Sequence, residues 1–351
     1  MISRTRLALL LDQFPRLTIG VVGDLFLDRY LAIAPGVHEL SVETGLEAYQ
    51  IPSVGNSPGA VGTVMNNLAA LGVGRLVPVT VIGDDGHGYD LRQELAKLPV
   101  DTAQIVLDPN RLTPTYTKPL RQEADGHWNE LNRFDVRSRG PLSDKTTELV
   151  CRHVQDVFQA TDGLIVLDQV NEENWGIVNA AVRQCLGELS KSNADRLVFI
   201  DSRNQLNRFD FGVLKGNGAE ISAAVGRPEA DDQTVREASM LLATKTGQPV
   251  YCTLGPDGVL VARPGSSYDV VPAFLTDGPI DICGAGDSAT SGIVCSWLVG
   301  AGPLEAALIG NLVASITVQQ LGTTGTATPK QILERWLEAS GNDFPMPKKN
   351  G

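Results

Sequence analysis

Residues 281–292 read Asp281-Ile-Cys-Gly-Ala-Gly-Asp-Ser-Ala-Thr-Ser-Gly292, and they divide two kinds of sequence. Before them the chain is polar and punctuated by Pro and Gly. After them, Ile293-Val-Cys-Ser-Trp-Leu-Val-Gly-Ala-Gly302 has the composition of a buried helix closed by glycine. Small residues thus stand where a helix begins. Gly284, Ala285 and Gly286 let a ligand approach the backbone, and the first N–H groups of the helix have no partner within it, so the stretch suits an anion. Asp287 would repel a resting phosphate if it pointed into the same space, and it fits better as a base at the edge of that site. A carboxylate that accepts a hydroxyl proton, beside donors that neutralise a transferring phosphoryl group, is the minimal equipment of a kinase. Taken alone, the same residues are also explained by a tight turn and a helix N-cap.

Working outward, the rest of the chain is laid out to hold such a loop. Leu17-Thr-Ile-Gly-Val-Val-Gly-Asp24, Gly163-Leu-Ile-Val-Leu-Asp168 and Arg196-Leu-Val-Phe-Ile-Asp201 are short apolar runs that end in an acid. They read as buried parallel strands alternating with helical sequence, as at 149–160, which implies βαβ units and an α/β fold. Ligands bind at the C-terminal ends of such strands, so Asp24 and Asp28 face a crevice. Asp28 is also explained by pairing with Arg29, and Asp168, Asp201 and Arg203 by ion pairs. Weakly alternating runs at Leu46–Ile51, Thr113–Arg121 and Glu130–Val136 predict a small sheet outside the main one. A short amphipathic helix is predicted over 5–14, a strand and turn over 79–88, and a helix over 304–321. Residues 341–351 read as a frayed tail.

The 351 residues suffice for one large α/β domain with a small appendage. A formal charge of −12 argues against nucleic acid as a partner, because its backbone is bound by clustered Lys and Arg. No segment reaches the roughly 18 to 20 apolar residues that a membrane span needs. Five scattered cysteines lack metal-site spacing and fit reduced thiols in a cytoplasmic protein; Cys283, inside the anion loop, reads as a passive small residue.

The 281–287 segment resembles the C-terminal signature Asp-Thr-x-Gly-Ala-Gly-Asp of the ribokinase-like (PfkB) carbohydrate kinases, with Ile282 where Thr or Val is usual. Val22-Gly-Asp-Leu-Phe-Leu-Asp-Arg-Tyr30 is similar to the opening of the bacterial heptose-phosphate kinases of that family. Further matches follow in family order over about residues 17–335: Pro58-Gly-Ala-Val-Gly-Thr63, Lys215-Gly-Asn-Gly-Ala-Glu220, Thr253-Leu-Gly-Pro-Asp-Gly258 and Gln320-Leu-Gly-Thr-Thr-Gly-Thr-Ala-Thr-Pro329. Motifs in a shared order are far more specific than any one of them.

The resemblance implies residues 1–351 as one ribokinase-like domain, a three-layer sandwich with a mostly parallel central sheet. Segments 31–56 and 110–137 would form a β lid over the sugar and the contact of a homodimer. ATP and Mg²⁺ are implied, with a monovalent cation such as K⁺ near Asp281. Asp287 would be the base and the amides of Gly284, Ala285 and Gly286 the anion hole. Asp28, Gly59, Ala60 and Thr63 would meet the sugar or sugar phosphate. Asn217, Glu220, Thr253, Gly255 and Gly258 would lie on the nucleotide side, with Glu220 organising Mg²⁺. Three positions depart from the family pattern: Ala60 replaces the second Gly, Thr63 replaces Asn, and no Lys follows Asp168. All three fall on the sugar side, which leaves open a non-catalytic ligand-binding or regulatory protein on the same scaffold.

Overall fold

Only Asp24 separates the first two strands, and that single residue marks where the chain leaves one sheet for another. A computed structural model describes residues 2–340 apart from 124, 266 and 323, so the expected frayed tail at 341–351 lies outside the described residues. In chain order the strands are β1 (Thr18–Gly23), β2 (Leu25–Ile33), β3 (Ser53–Ala60), β4 (Arg75–Gly83), β5 (Ile105–Asp108), β6 (Thr115–Gln122), β7 (Trp128–Glu130), β8 (Phe134–Val136), β9 (Gly163–Asp168), β10 (Leu197–Ser202), β11 (Val213–Asn217), β12 (Val250–Thr253), β13 (Val259–Arg263) and β14 (Ser267–Val271). The helices are α1 (Arg4–Leu11), α2 (Val61–Ala70), α3 (Gly86–Leu95), α4 (Asp144–Ala160), α5 (Ala180–Ser192), α6 (Gly218–Ala224), α7 (Asp232–Thr246), α8 (Ala285–Leu298), α9 (Pro303–Thr317) and α10 (Pro329–Ser340).

The large sheet runs β14-β13-β12-β11-β10-β9-β1-β4-β5, parallel from β12 to β5 and antiparallel only at the β12–β13–β14 edge. Alternate side chains of each strand enter different cores. On β9, Ile165 and Leu167 join the core under α1, α2, α8 and α9, whereas Leu164 and Val166 join the core under α4, α5 and α7. Both faces are covered, which is why these strands read as unbroken apolar runs. Each fully buried Leu or Ile contributes about 1.5–3 kcal/mol, and the three layers follow from that two-sided burial. Helices α8 and α9 pack closely because Gly292 and Gly310 face each other: a Cβ on Gly292 would stand 3.0 Å from the Cα of Gly310. That contact fixes the direction in which the N-terminus of α8 points.

The second sheet is the lid. β2 pairs with β3 antiparallel and with β6 parallel, and β7 and β8 both run against β6. Its strands β2 and β3 therefore reach beyond the expected 31–56 at both ends, from Leu25 on one side to Ala60 on the other, and Asp28 sits on a lid strand. Leu46–Ile51 forms no strand; only a bridge between Leu40 and Glu47 marks that region. Glu130–Val136 is divided between two short strands. These segments expose both faces, so no buried side fixes their register in advance. Helix α1 ends at Leu11, short of the predicted 14, and Phe14–Arg16 forms a 3₁₀ turn around Pro15. Helix α3 begins at Gly86, within the predicted turn, capped by Asp85. Among the described residues no helix is long and apolar enough to cross a membrane.

Candidate active site

Gly284 is the N-cap of α8, with φ +77°, a left-handed conformation that glycine adopts without steric cost. The amide of Ala285 donates to the Ile282 carbonyl at 3.1 Å. The amide and hydroxyl of Ser288 both donate to the Gly284 carbonyl at 2.9 Å. Among the described residues the N–H groups of Gly286 and Asp287 have no acceptor. Of the expected amides at 284–286, a turn has taken that of Ala285, while those of Gly284 and Gly286 have no acceptor among the described residues and the N–H of Asp287 extends the open set. Asp281 braces the loop from behind. Its Oδ1 accepts from Cys283 N at 2.9 Å, and its Oδ2 accepts from Gly322 N at 3.2 Å. Both oxygens thus meet backbone amides at the position expected beside a metal. Cys283 is exposed, and partial burial followed by the charge of Asp281 pushes its thiol pKa up, which keeps it a poor nucleophile.

Asp287 is half-buried at the first turn of α8. Burial first, and the Asp201 carboxylate second, push its carboxyl up to about 7, against the pull of Lys215 and Arg203. Lys215 is the residue that sequence reasoning left without a role. It is 5% exposed, and its Nζ lies 2.7 Å from Asp201 Oδ2. A Cβ on Gly286 would stand 2.9 Å from that Nζ, so the ammonium lies against the open end of the helix. Burial works against the charge on Lys215, but Asp201, Asp287 and Glu220 outweigh it and the pKa shifts upward. The signal was a lysine inside the otherwise apolar run Val213-Leu-Lys-Gly216. An ammonium, a helix N-terminus and a half-buried carboxylate thus converge on one point.

On the lid side, Asp28 pairs with Lys118 at 2.9 Å, both side chains being largely buried. Arg29, the alternative partner, pairs instead with Asp90 at 2.8 Å. Lys118 also donates to the Tyr30 hydroxyl at 3.3 Å. Gly59 lies against this carboxylate, and a Cβ there would collide with Asp28 Oδ2. Ala60, at φ 54° and ψ −112°, holds a backbone conformation that costs a residue with a Cβ about 1–3 kcal/mol. Thr63 is buried, its methyl group 3.6 Å from where a Cβ on Gly284 would lie, so it packs beneath the anion loop. Asp24 is buried at the end of β1, where it accepts from Ile177 N at 2.9 Å and from Gln169 N at 3.5 Å. Burial pushes its carboxyl up to about 7. Asp168 accepts from the Ser202 hydroxyl at 2.8 Å rather than forming an ion pair, and burial raises its carboxyl to about 6.

On the opposite side, Asn217 and Glu220 form a capping box at the start of α6. Asn217 Oδ1 accepts from Glu220 N at 3.0 Å, and Glu220 Oε2 accepts from Asn217 N at 2.7 Å. The pair's structural role is therefore plain, and Glu220 Oε1 remains directed to no partner among the described residues. Thr253 stands beside Asn217 across the β11–β12 pairing. Gly255 and Gly258, with φ +60° and +97°, turn the chain into β13. Among the described residues no group of three or more His, Cys, Asp or Glu could hold a metal ion. One carboxylate with water and phosphate oxygens is nonetheless the donor set that Mg²⁺ takes beside a nucleotide, and Glu220 fits it.

A family model described as "pfkB family carbohydrate kinase" matches residues 39–331. The bifunctional protein HldE of Caulobacter sp. (strain K31) is 30% identical over 324 residues, 90% of this chain and 62% of that protein. The HldE protein of Desulfatibacillum aliphaticivorans is 27% identical over 317 residues, 88% of this chain and 61% of that protein. The chain spans about three fifths of the length of the curated relatives it matches. Arabidopsis thaliana ribokinase, solved with ribose and ATP, superposes with a TM-score of 0.65 at 18% identity, covering 91% of this chain and 98% of that one. Escherichia coli phosphofructokinase-2, solved with fructose-6-phosphate, does so at 0.67 and 18%, covering 92% and 99%.

Proposed function

The chain belongs to the pfkB family of carbohydrate kinases, and from that premise we propose that it transfers the γ-phosphate of ATP to a hydroxyl of a sugar or sugar phosphate. The observation that carries the proposal is the meeting of Asp287, the open amides at 286–287 and the Lys215 ammonium at one helix N-terminus. Asp287 accepts the proton of the attacking hydroxyl, while the amides and Lys215 draw off negative charge that accumulates on the transferring group. Asp201 holds Lys215 in place. Asp28 and Lys118 orient the acceptor from the lid, and Gly59 leaves room for the Asp28 carboxylate. Glu220 is the residue that would hold Mg²⁺, which when bound supplies charge neutralisation on the nucleotide phosphates.

A second reading, a non-catalytic ligand-binding protein on the same scaffold, is favoured by one observation: the strained Ala60 stands in the sugar-side segment where the family pattern has glycine. ADP release measured with ATP and Mg²⁺ over a panel of sugars and sugar phosphates decides between them. The kinase reading predicts acceptor-dependent ADP release well above the rate without acceptor. Release at the acceptor-free rate across the panel would favour the second reading.

A further inference from the structure

The chain passes Asp24 both on its way out to the lid and on its way back. Asp24 alone separates β1 from β2, and its carbonyl accepts at 3.1 Å from the amide of Val61, where the chain has left β3 for α2. The side chain of this buried residue is spent on neither crossing. Its carboxylate accepts instead from the amides of Ile177 at 2.9 Å and Gln169 at 3.5 Å, which lie near the two ends of the loop between β9 and α5. Gly176 lets the loop come so close, because a Cβ there would stand 2.9 Å and 3.1 Å from the two carboxylate oxygens. Another crossing reaches the same loop. Arg111, in the connection from β5 to β6, donates to the Trp175 carbonyl at 3.4 Å, and the Pro114 carbonyl ahead of β6 accepts from the Leu27 amide at 2.8 Å.

The loop is also braced from its far side. Asn174 Oδ1 accepts from Ala180 N at 2.8 Å and from Arg183 Nη2 at 3.1 Å, while Arg183 Nη1 donates to the Val178 carbonyl at 2.6 Å. A braced loop that receives a carboxylate from one crossing and a guanidinium from another fixes how the lid leaves the sheet. Burial makes that seat definite, since the Ile177 amide would cost free energy if it lost its acceptor. Val170 and Trp175 of the loop face Phe26 and Tyr116 of the lid across a cavity of about 390 Å³. Asp28 and Lys118 stand further along the same two lid strands, β2 and β6.

We infer that Asp24 is a positioning residue: its carboxylate latches the loop at 169–177 to the root of the lid and thereby sets where Asp28 and Lys118 stand. The latch is independent of the chemistry, and only its effect on the acceptor rests on the kinase reading. The test uses the full chain and two variants that open the latch from opposite sides. Asp24→Asn keeps the shape but sets an NH₂ group against one of the donating amides, whereas Gly176→Ala keeps the carboxylate and wedges the loop away from it. Hydrogen exchange read by mass spectrometry, with no ligand added, is expected to run about tenfold faster in both variants over 169–177 and over β2, with β11 and α6 as in the parent. If Asp24→Asn does not fold, Gly176→Ala decides by itself. ADP release is then followed with ribose, fructose, ribose 5-phosphate and fructose 6-phosphate in turn. Both variants are expected to raise KM for a working acceptor about fivefold or more, with kcat and KM for ATP within about twofold of the parent. The inference is overturned if exchange is unchanged, if the loop loosens while β2 stays as in the parent, or if kcat falls with the acceptor KM unmoved, the mark of a purely structural carboxylate. Faster exchange in loop and lid without ADP release from any acceptor would uphold the latch and fail the kinase reading, whereas ADP release by variants indistinguishable from the parent would do the reverse.

Discussion

Asp287 carries two opposite pH dependences in one carboxyl group. Its pKa stands at about 7 instead of 3.8 because burial and Asp201 disfavour the charge. As a base it works only when ionised, so kcat/KM is expected to fall as pH drops through about 7, with an acid limb of slope one; a profile flat from pH 8 to 5.5 would remove the assigned role. Stability runs the other way. A raised carboxyl pKa stabilises the fold below 3.8 and loses that contribution as pH rises to 7, by on the order of 1.4 kcal/mol per pH unit. Asp287→Asn is therefore expected to melt at a higher temperature than the parent at pH 8 and at a similar one at pH 4, by differential scanning calorimetry. Ala60 is the other residue under tension. Ala60→Gly relieves a left-handed backbone and is expected to stabilise by about 1 kcal/mol in urea denaturation, and a destabilised variant would show that the strain is offset by methyl packing.

At the scale of elements, strand β11 and helix α8 meet through Lys215. Lys215→Met leaves Asp201 buried without its partner, so a loss of about 3–5 kcal/mol is expected in urea denaturation, most of it recovered in Lys215→Met/Asp201→Leu. A loss below 1 kcal/mol would mean that the pair is well hydrated. The strands of the large sheet were legible because burial on both faces writes itself as an apolar run, as in Leu164–Leu167. The start of α8 was legible for a similar reason, since Gly284 and Gly286 are required by a turn and a close approach. Lid boundaries were not: β3, Ser53–Ala60, contains Pro58 and two glycines and reads as a loop, and it is a strand because β2 pairs along its whole length. Nor was the partner of Asp28, because Lys118 comes from a strand 90 residues on and nothing local to either residue announces the contact. Asn217 and Glu220 show the limit of a motif, since the same two residues satisfy a helix cap and stand at the edge of the site.

For the whole molecule, Val54 and Phe134 on the lid strands and Leu40, Val42 and Leu46 in the segment between β2 and β3 are presented to solvent, 47–103% exposed. A lone lid of that composition is expected to pair with a second copy, so light scattering should give about twice the 37.5 kDa chain mass, and Val42→Asp/Phe134→Asp should return it to one. A single-chain mass for the parent would refute lid pairing without touching the chemistry. In the proposed reaction one carboxylate carries the proton transfer, and the most direct measurement is ADP formation by Asp287→Asn beside its parent, at pH 8, with an acceptor that the parent uses and with nucleotide affinity measured in parallel. The account predicts turnover lowered by about 10²–10⁴-fold with nucleotide affinity within about threefold of the parent; turnover equal to the parent's would contradict it.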